Sequence, residues 1–330
     1  MGLFRRKHAD DAVQVAPRQF PTPPPDPRAD GLRDFGAQRD YILGLLNPLA
    51  PFGLGLLDAA GLTLNESIKA DRDLPNSGIK VGDILVRRGV RIQPRLVGLL
   101  AAVGITKVMT RPRPRIVVIP LGPGPAADGA DLASYLVAAE LQNQGSQVFH
   151  VPTSTADPAE LAQVIADQLI RADLIVTVGG FAAEEPDAAD VIGRVGLVDT
   201  TPVAIAPGRQ QGFGLVGDDD VPLLALPSDP VAAHVLLVTL VVPAARRLIG
   251  ADVILPPLEK ARVTQPVSVT PGLLTTAHVV VDGEVLSFRA RRTGVDALVA
   301  INRANGIALL SSDVGHIDIG AWVDYIPLVR

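Results

Sequence analysis

LIVTVGGFAAEEPD, residues 174–187, decides how the rest of the chain is read. A near-continuous apolar run (Leu174, Ile175, Val176 and Val178, broken only by Thr177) is followed by two glycines, and three acids come just after. A short continuous apolar run is the mark of a strand buried on both faces, as in a parallel sheet covered by helices. Glycines at the end of such a strand let the backbone turn sharply and approach a ligand. In an open parallel sheet, ligands bind beyond the carboxyl ends of the strands. The alternative for Gly179 and Gly180 is a plain strand-to-helix turn.

The flanking sequence repeats the same grammar. IVVIP (116–120) reads as a strand, 131–144 as a helix closed by Gly145, and QVFHV (147–151) as the next strand. Asp157-Pro158 reads as an N-cap with proline at the first helical position, opening a helix to about residue 171. Residues 223–226 form a further strand and 229–248 a long helix. The expected fold class is α/β, a parallel sheet flanked by helices. An elongated α+β segment precedes it, with 56–75 read as a helix and a short extended piece. A small β domain follows, from its period-two alternation and its turns at VDGE, ANG and DVG. The expected domains are 1–37, a disordered Pro-rich tail containing PTPPPDP and the basic cluster Arg5-Arg6-Lys7; 38–113; 114–254; and 255–330.

Composition removes several classes of function. The chain has 330 residues, 48% hydrophobic and 20% charged, with a formal net charge of −5. Nothing suggests non-specific nucleic-acid binding. There is no cysteine, which excludes disulfides and thiolate metal sites. The five histidines lack metal-ligand spacing. The most apolar run, residues 235–242, is far shorter than a membrane span and closes at Pro243. MGLFRRKHADD lacks both a secretory signal and a myristoylation pattern. The expectation is a cytoplasmic protein without a membrane span.

Four strand ends can carry chemistry: PLGPGP (120–125), STADP (154–158), the opening stretch, and LPSDPV (226–231), with APGRQ (206–210) nearby supplying the cation Arg209. Glu184 and Glu185 are candidates for an acid–base pair, but adjacent residues point in different directions, and such a pair is more often a solvated first turn favoured by the helix dipole. Asp187 is a metal-ligand candidate or an ordinary first-turn acid. Asp229 reads as an N-cap. Arg209 reads as an anion contact or a surface arginine.

The order of these motifs resembles the molybdopterin molybdenumtransferase family, the MoeA and gephyrin family, from about Arg39 to the C-terminus. LLDAAGLTLNESIKADRDLP (56–75) is similar to its A-x-R-D-L-P segment, and VGDILVRRGVRIQPRLVGLLAAVGITKV (81–108) to its G-D-x-L…L-A-x-x-G segment. ADLIVTVGGFAAEEPD (172–187) resembles A-D-L-V-I-T-S-G-G-V-S-V-G-D-Y-D, PVAIAPGRQ (202–210) resembles V-A-x-x-P-G-K-P, and LALPSDPVAAH (224–234) resembles L-P-G-N-P-V-S-A. RANGIALL (303–310) resembles the family's A-N-G-L-A-x-L-P.

The departures are specific. Asp73-Leu74-Pro75 runs directly through Asn76-Ser77-Gly78 into Gly82-Asp83, without the family's inserted β domain. Pro120 to Pro125 replaces S-T-G-D-E-L, and Ala156 replaces the first aspartate of R-D-D-P. Val178 stands for Ser before the glycines, Glu184-Glu185 for Gly-Asp, and Asp229 for Asn.

The resemblance implies a homodimer and, where the family activity persists, molybdopterin or adenylylated molybdopterin with Mg2+. The matching ligand-binding candidates are Ser134, Asp157, Gly179, Gly180, Asp187, Gly208, Arg209, Pro227 and Asp229. The lost motifs imply a catalytically degenerate scaffold for a protein or peptide partner. The rival readings are a working molybdenumtransferase or pterin-binding helper, and a small-molecule-binding domain using Glu184 and Glu185.

Overall fold

The computed structural model describes residues 18–122, 130–288, 293–311 and 313–328. The basic cluster 5–7 and the loop residues 123–125 lie outside them.

Helix α1 (Phe35–Leu45) starts at Asp34, whose side chain accepts the Ala37 N–H. Strands β1 (Phe52–Gly55), β2 (Thr63–Leu64) and β5 (Lys107–Arg111) form a small antiparallel sheet in the order β1-β5-β2. β3 (Ile68–Lys69) and β4 (Ile84–Val86) pair as a hairpin, and helix α2 (Pro94–Ala102) packs beside them. Residues 56–62, expected to be helical, form turns instead: Gly61 takes φ +82°, and Gly61 N–H is committed to Ile92 O. The hairpin closes tightly where the resemblance has its insert. Ala70 N–H bonds Asp83 O at 2.8 Å, Leu74 N–H bonds Ile79 O at 3.0 Å, and Lys80 pairs with Asp73 at 3.0 Å.

The central sheet has six strands in the order β7-β6-β8-β12-β11-β9. These are β6 (Arg115–Pro120), β7 (Gln147–His150), β8 (Leu174–Val178), β9 (Gly196–Asp199), β11 (Gly212–Val216) and β12 (Val221–Leu226). A two-residue strand, β10 (Ile205–Ala206), pairs in parallel with Leu274 and Thr275 of the C-terminal domain. β7, β6, β8 and β12 are parallel, as expected, but β11 is antiparallel to both of its neighbours. The reversal follows from a tight turn at residues 217–220, with positive φ at Gly217 and Asp220, which returns the chain directly into β12.

Alternation along the strands builds two apolar layers. Ile116, Val118, Leu174, Val176 and Val178 face one core with α1, α3 (Ala130–Asn143), α6 (Pro230–Leu236) and α7 (Val242–Leu248). Val117, Ile119, Ile175 and Leu223 face the other, with α4 (Pro158–Gln168) and α5 (Ala188–Gly193). α1 therefore belongs to the α/β layers through Phe35, Ile42 and Leu46, although its sequence position had placed it in the elongated segment. α6 and α7 are joined by a π-helical stretch, residues 237–241. The run Pro230–Leu248 is long and apolar enough to cross a membrane, but 83% of it is buried inside the protein, so it serves as a core helix.

The C-terminal domain closes on itself. β13 (Glu259–Val263), β15 (Leu274–Asp282), β16 (Val285–Phe288), β17 (Gly306–Leu310) and β19 (Trp322–Pro327) pair in the ring β15-β16-β13-β19-β17-β15. Closure leaves no free edge within the ring. β14 (Val267–Ser268) and β18 (His316–Ile317) form a small ribbon. One helix, α8 (Gly294–Arg303), was not expected in this β domain; Ala297 and Ile301 bury its inner face.

The Pro-rich stretch corrects the expectation of a disordered tail over its second half. Residues 18–34 form a strap fixed at several points. Arg18 pairs with Asp220, Phe20 stacks on Phe213 at 5.9 Å, and Tyr41 donates to Thr22 O at 2.9 Å. Arg28 donates to Gly272 O at 2.6 Å in the C-terminal domain. Arg33 is buried and pairs with Asp199 on β9. Prolines keep such a segment extended, and its few large or charged side chains supply the anchors.

Candidate functional site

The site lies along the carboxyl edge of the parallel strands. Backbone bonds continue the ladder past the strand ends. Leu121 N–H donates to Val178 O at 2.8 Å, and Gly179 N–H donates to Leu226 O at 2.8 Å. The Thr153 hydroxyl lies 2.8 Å from both Pro120 O and Gly122 O, tying the loop after β7 to the loop after β6. Four of the strand ends named from the sequence thus meet on one rim.

At the centre of the rim, Gly179 and Gly180 take φ of +105° and +91°. The Gly180 carbonyl accepts the Ala188 N–H at 3.0 Å. A Cβ on Gly180 would stand 2.7 Å from Ala188 Cβ, so close packing as well as backbone conformation requires glycine there. The N–H groups of Gly180, Phe181 and Ala182 all donate to one oxygen, Glu185 Oε2, at 2.7, 3.1 and 3.2 Å. Glu184 is exposed and Glu185 half-buried. The two carboxylates therefore have separate surroundings, and the acid–base pair has no geometric support. A cleft of about 470 Å³ opens beside the turn, lined by Phe181, Ala182, Glu185, Asp187, Thr200 and Gln210.

Three candidate aspartates cap helices. Asp157 accepts from Ala159 N–H (2.8 Å) and Glu160 N–H (3.0 Å). Asp187 accepts from Ala189 N–H (2.7 Å) and Asp190 N–H (3.1 Å). Asp229 accepts from Val231 N–H at 2.8 Å. Each satisfies donors that the first helical turn cannot pair internally. No group of three or more His, Asp or Glu side chains suited to a metal ion occurs among the described residues. Asp187 stands outside any such cluster and acts as the N-cap of α5.

Gly208 is buried with φ +108°, and a Cβ there would lie 3.0 Å from Leu236. It follows the cis Ala206-Pro207 bond. Arg209 beside it is exposed, while Gln210 turns into the cleft. Pro227 is half-buried at the end of β12. Ser134 is fully buried on α3, with its Oγ 2.8 Å from His150 Nε2 at the end of β7. Exposed Tyr135 stacks on the His150 ring at 4.5 Å.

Two features escaped the sequence. The Glu185 contact depends on a five-residue return that periodicity does not report. The second is a buried histidine pair, His234 on α6 and His278 on β15, with Nδ1 and Nε2 2.7 Å apart. The two are 44 residues apart in the chain, and nothing local marks them as partners.

The chain thus combines a mixed α/β sheet with a rim of glycine turns, a closed β-barrel and a small α+β unit. A family model described as a probable molybdopterin binding domain matches residues 116–247. The chain is 34% identical over 204 residues to molybdopterin molybdenumtransferase 1 of Mycobacterium tuberculosis, an alignment covering 59% of this chain and 48% of the relative. It is 27% identical over 260 residues to molybdopterin molybdenumtransferase 2 of the same species, covering 73% and 63%. The chain therefore spans about half to two thirds of the length of these curated relatives. Among solved structures, a molybdopterin biosynthesis MoeA protein from Pyrococcus horikoshii superposes with a TM-score of 0.76 at 17% identity, covering 91% of this chain and 100% of that one. A molybdenum cofactor biosynthesis protein from Pyrococcus furiosus gives 0.70 at 19%, covering 90% and 99%. At these identities the likeness is one of fold. Residues 116–247 thus match the molybdopterin-binding domain family, and a longer part of the chain is similar to molybdopterin molybdenumtransferases.

Proposed function

We propose that this protein keeps the molybdopterin-binding fold of its family, no longer inserts molybdenum, and acts as a homodimeric scaffold for a protein or peptide partner. The observation that carries this reading is the employment of its acids. Asp157, Asp187 and Asp229 each commit a carboxylate oxygen to the N-terminus of their own helix. The family resemblance implies a reaction that needs carboxylates for a divalent cation and contacts for phosphate and pterin. Here Pro123 and Gly124 stand where the S-T-G-D-E-L motif has its acids, and Ala156 replaces an aspartate. The closed hairpin between β3 and β4 leaves no inserted lobe for a partner subunit to lend to the cleft.

A second reading, a pterin-binding helper or enzyme of molybdenum cofactor biosynthesis, draws on the rim itself. Gly179, Gly180 and Gly208 have the positive φ of a ligand-approach turn, Gly180 and Gly208 are also closely packed, and Arg209 is exposed next to Gly208. Isothermal titration with molybdopterin separates the two. The scaffold reading expects no micromolar binding and no difference between the natural chain and its Asp187→Ala and Arg209→Ala variants. Micromolar binding abolished by either substitution favours the second reading. Light scattering at micromolar concentration is expected to give twice the chain mass; a stable monomer contradicts the dimer.

A further inference from the structure

A turn shaped for an anion is filled by the protein's own side chain. Consecutive N–H groups that converge on one point form an anion-binding concavity. Gly179 and Gly180, both at positive φ, aim the N–H groups of Gly180, Phe181 and Ala182 at Glu185 Oε2. The return is fixed at both ends. Ala182 O accepts the Glu185 N–H at 3.1 Å, and Gly180 O accepts the Ala188 N–H at 3.0 Å. Buried Pro186 follows directly, and exposed Glu184 points elsewhere. Glu185 thus reaches the turn, which borders the cleft at the end of the central strand β8.

We propose that Glu185 is a built-in occupant of this turn and determines the charge of the ligands that the cleft admits, shutting out phosphate monoesters and other tetrahedral oxyanions. The donors that such an anion needs are already paired. An entering phosphate must either displace the carboxylate, which is held at the high effective concentration of a tethered group, or lie against it as a like charge. This goes beyond the scaffold reading, because it concerns the charge of any ligand and holds whether or not a pterin enters.

The test is isothermal titration of the full chain with inorganic phosphate and, separately, with AMP, in the natural protein, E185Q and E185G. E185Q keeps the side chain's shape and removes its charge; E185G empties the turn. The natural chain is expected to show no binding at millimolar phosphate. Each variant is expected to gain at least about tenfold in affinity, the scale that a removed like-charge contact produces, with E185G above E185Q. Both probes are expected to gain, because the turn reads the phosphate. Equal affinity in all three proteins overturns the proposal, as does a gain for AMP without a gain for inorganic phosphate. If E185G does not fold, E185Q decides alone: natural melting behaviour with no gained affinity overturns it. Neither probe contains a pterin, so the result is separable from any result with molybdopterin.

Discussion

His234 Nδ1 and His278 Nε2 lie 2.7 Å apart, one on the core helix of the α/β domain and the other on a strand of the C-terminal barrel. The rings stack at 4.9 Å and 14°, and both residues are buried. Burial, with the neighbouring His278 adding to it, pushes His234 down to about 3 from 6.5. Burial pushes His278 down to about 4, opposed by the nearby Asp229 carboxylate. The pair is a neutral hydrogen-bonded contact between two domains.

Its pH dependence has a definite sign. Both folded pKa values lie below the ordinary 6.5, so between about pH 4 and 6.5 the unfolded chain binds more protons than the folded one. Stability then rises with pH. The contribution is complete above pH 6.5 and falls by about 1.4 kcal/mol per pH unit for each histidine as the solution is acidified. Denaturant unfolding from pH 7 to pH 5 is expected to show this slope, and His278→Gln to reduce it. An unchanged slope in His278→Gln contradicts the assignment.

The anchored strap makes a second prediction. Arg33 is buried, pairs with Asp199, and donates to Gln38 Oε1 at 2.7 Å. Asp199 also accepts the Thr201 hydroxyl at 2.7 Å. Removing one partner of a buried ion pair leaves the other charge uncompensated, at a cost of about 3–5 kcal/mol. Arg33→Ala is expected to lower unfolding free energy by that amount. A loss below about 1 kcal/mol, the range of a surface pair, contradicts the burial.

Gly180 offers a third. Its φ of +91° and the 2.7 Å approach of a built Cβ to Ala188 Cβ predict that Gly180→Ala loses about 1–3 kcal/mol. Differential scanning calorimetry checks it; a natural melting temperature means that the turn is looser than described.

Asp187→Ala tests the capping role. Loss of an N-cap costs about 1 kcal/mol, and thermal denaturation is expected to register that small change. A wild-type melting curve would deny that Asp187 holds the start of α5.

The sequence made the α/β domain legible because its signals are local: the apolar run 174–178, the N-caps Asp157 and Asp229, and Pro158 at the head of α4. The β domain was readable from its alternation, although α8 was hidden there, since GVDALVAINR is short and flanked by strands. The antiparallel β11 was missed because direction within a sheet depends on the 217–220 turn and not on periodicity. Residues 56–62 carry helical apolar spacing, yet Gly61 and its bond to Ile92 hold them as turns. The strap was read as disordered because composition reports its prolines, while its order comes from Phe20, Arg28 and Arg33 meeting residues about 170 to 240 positions away. At the site, the glycines and caps were visible in order and spacing. The Glu185 contact was not, because a glutamate beside a glycine pair reads equally as a solvated acid until the loop's return is known.

The central proposal is that this chain does not carry out the reaction its resemblance implies. Adenylylated molybdopterin incubated with molybdate, Mg2+ and the full chain, with AMP release followed over time, tests it directly. The account predicts no AMP release above the protein-free rate. AMP release that depends on molybdate and on the protein contradicts it.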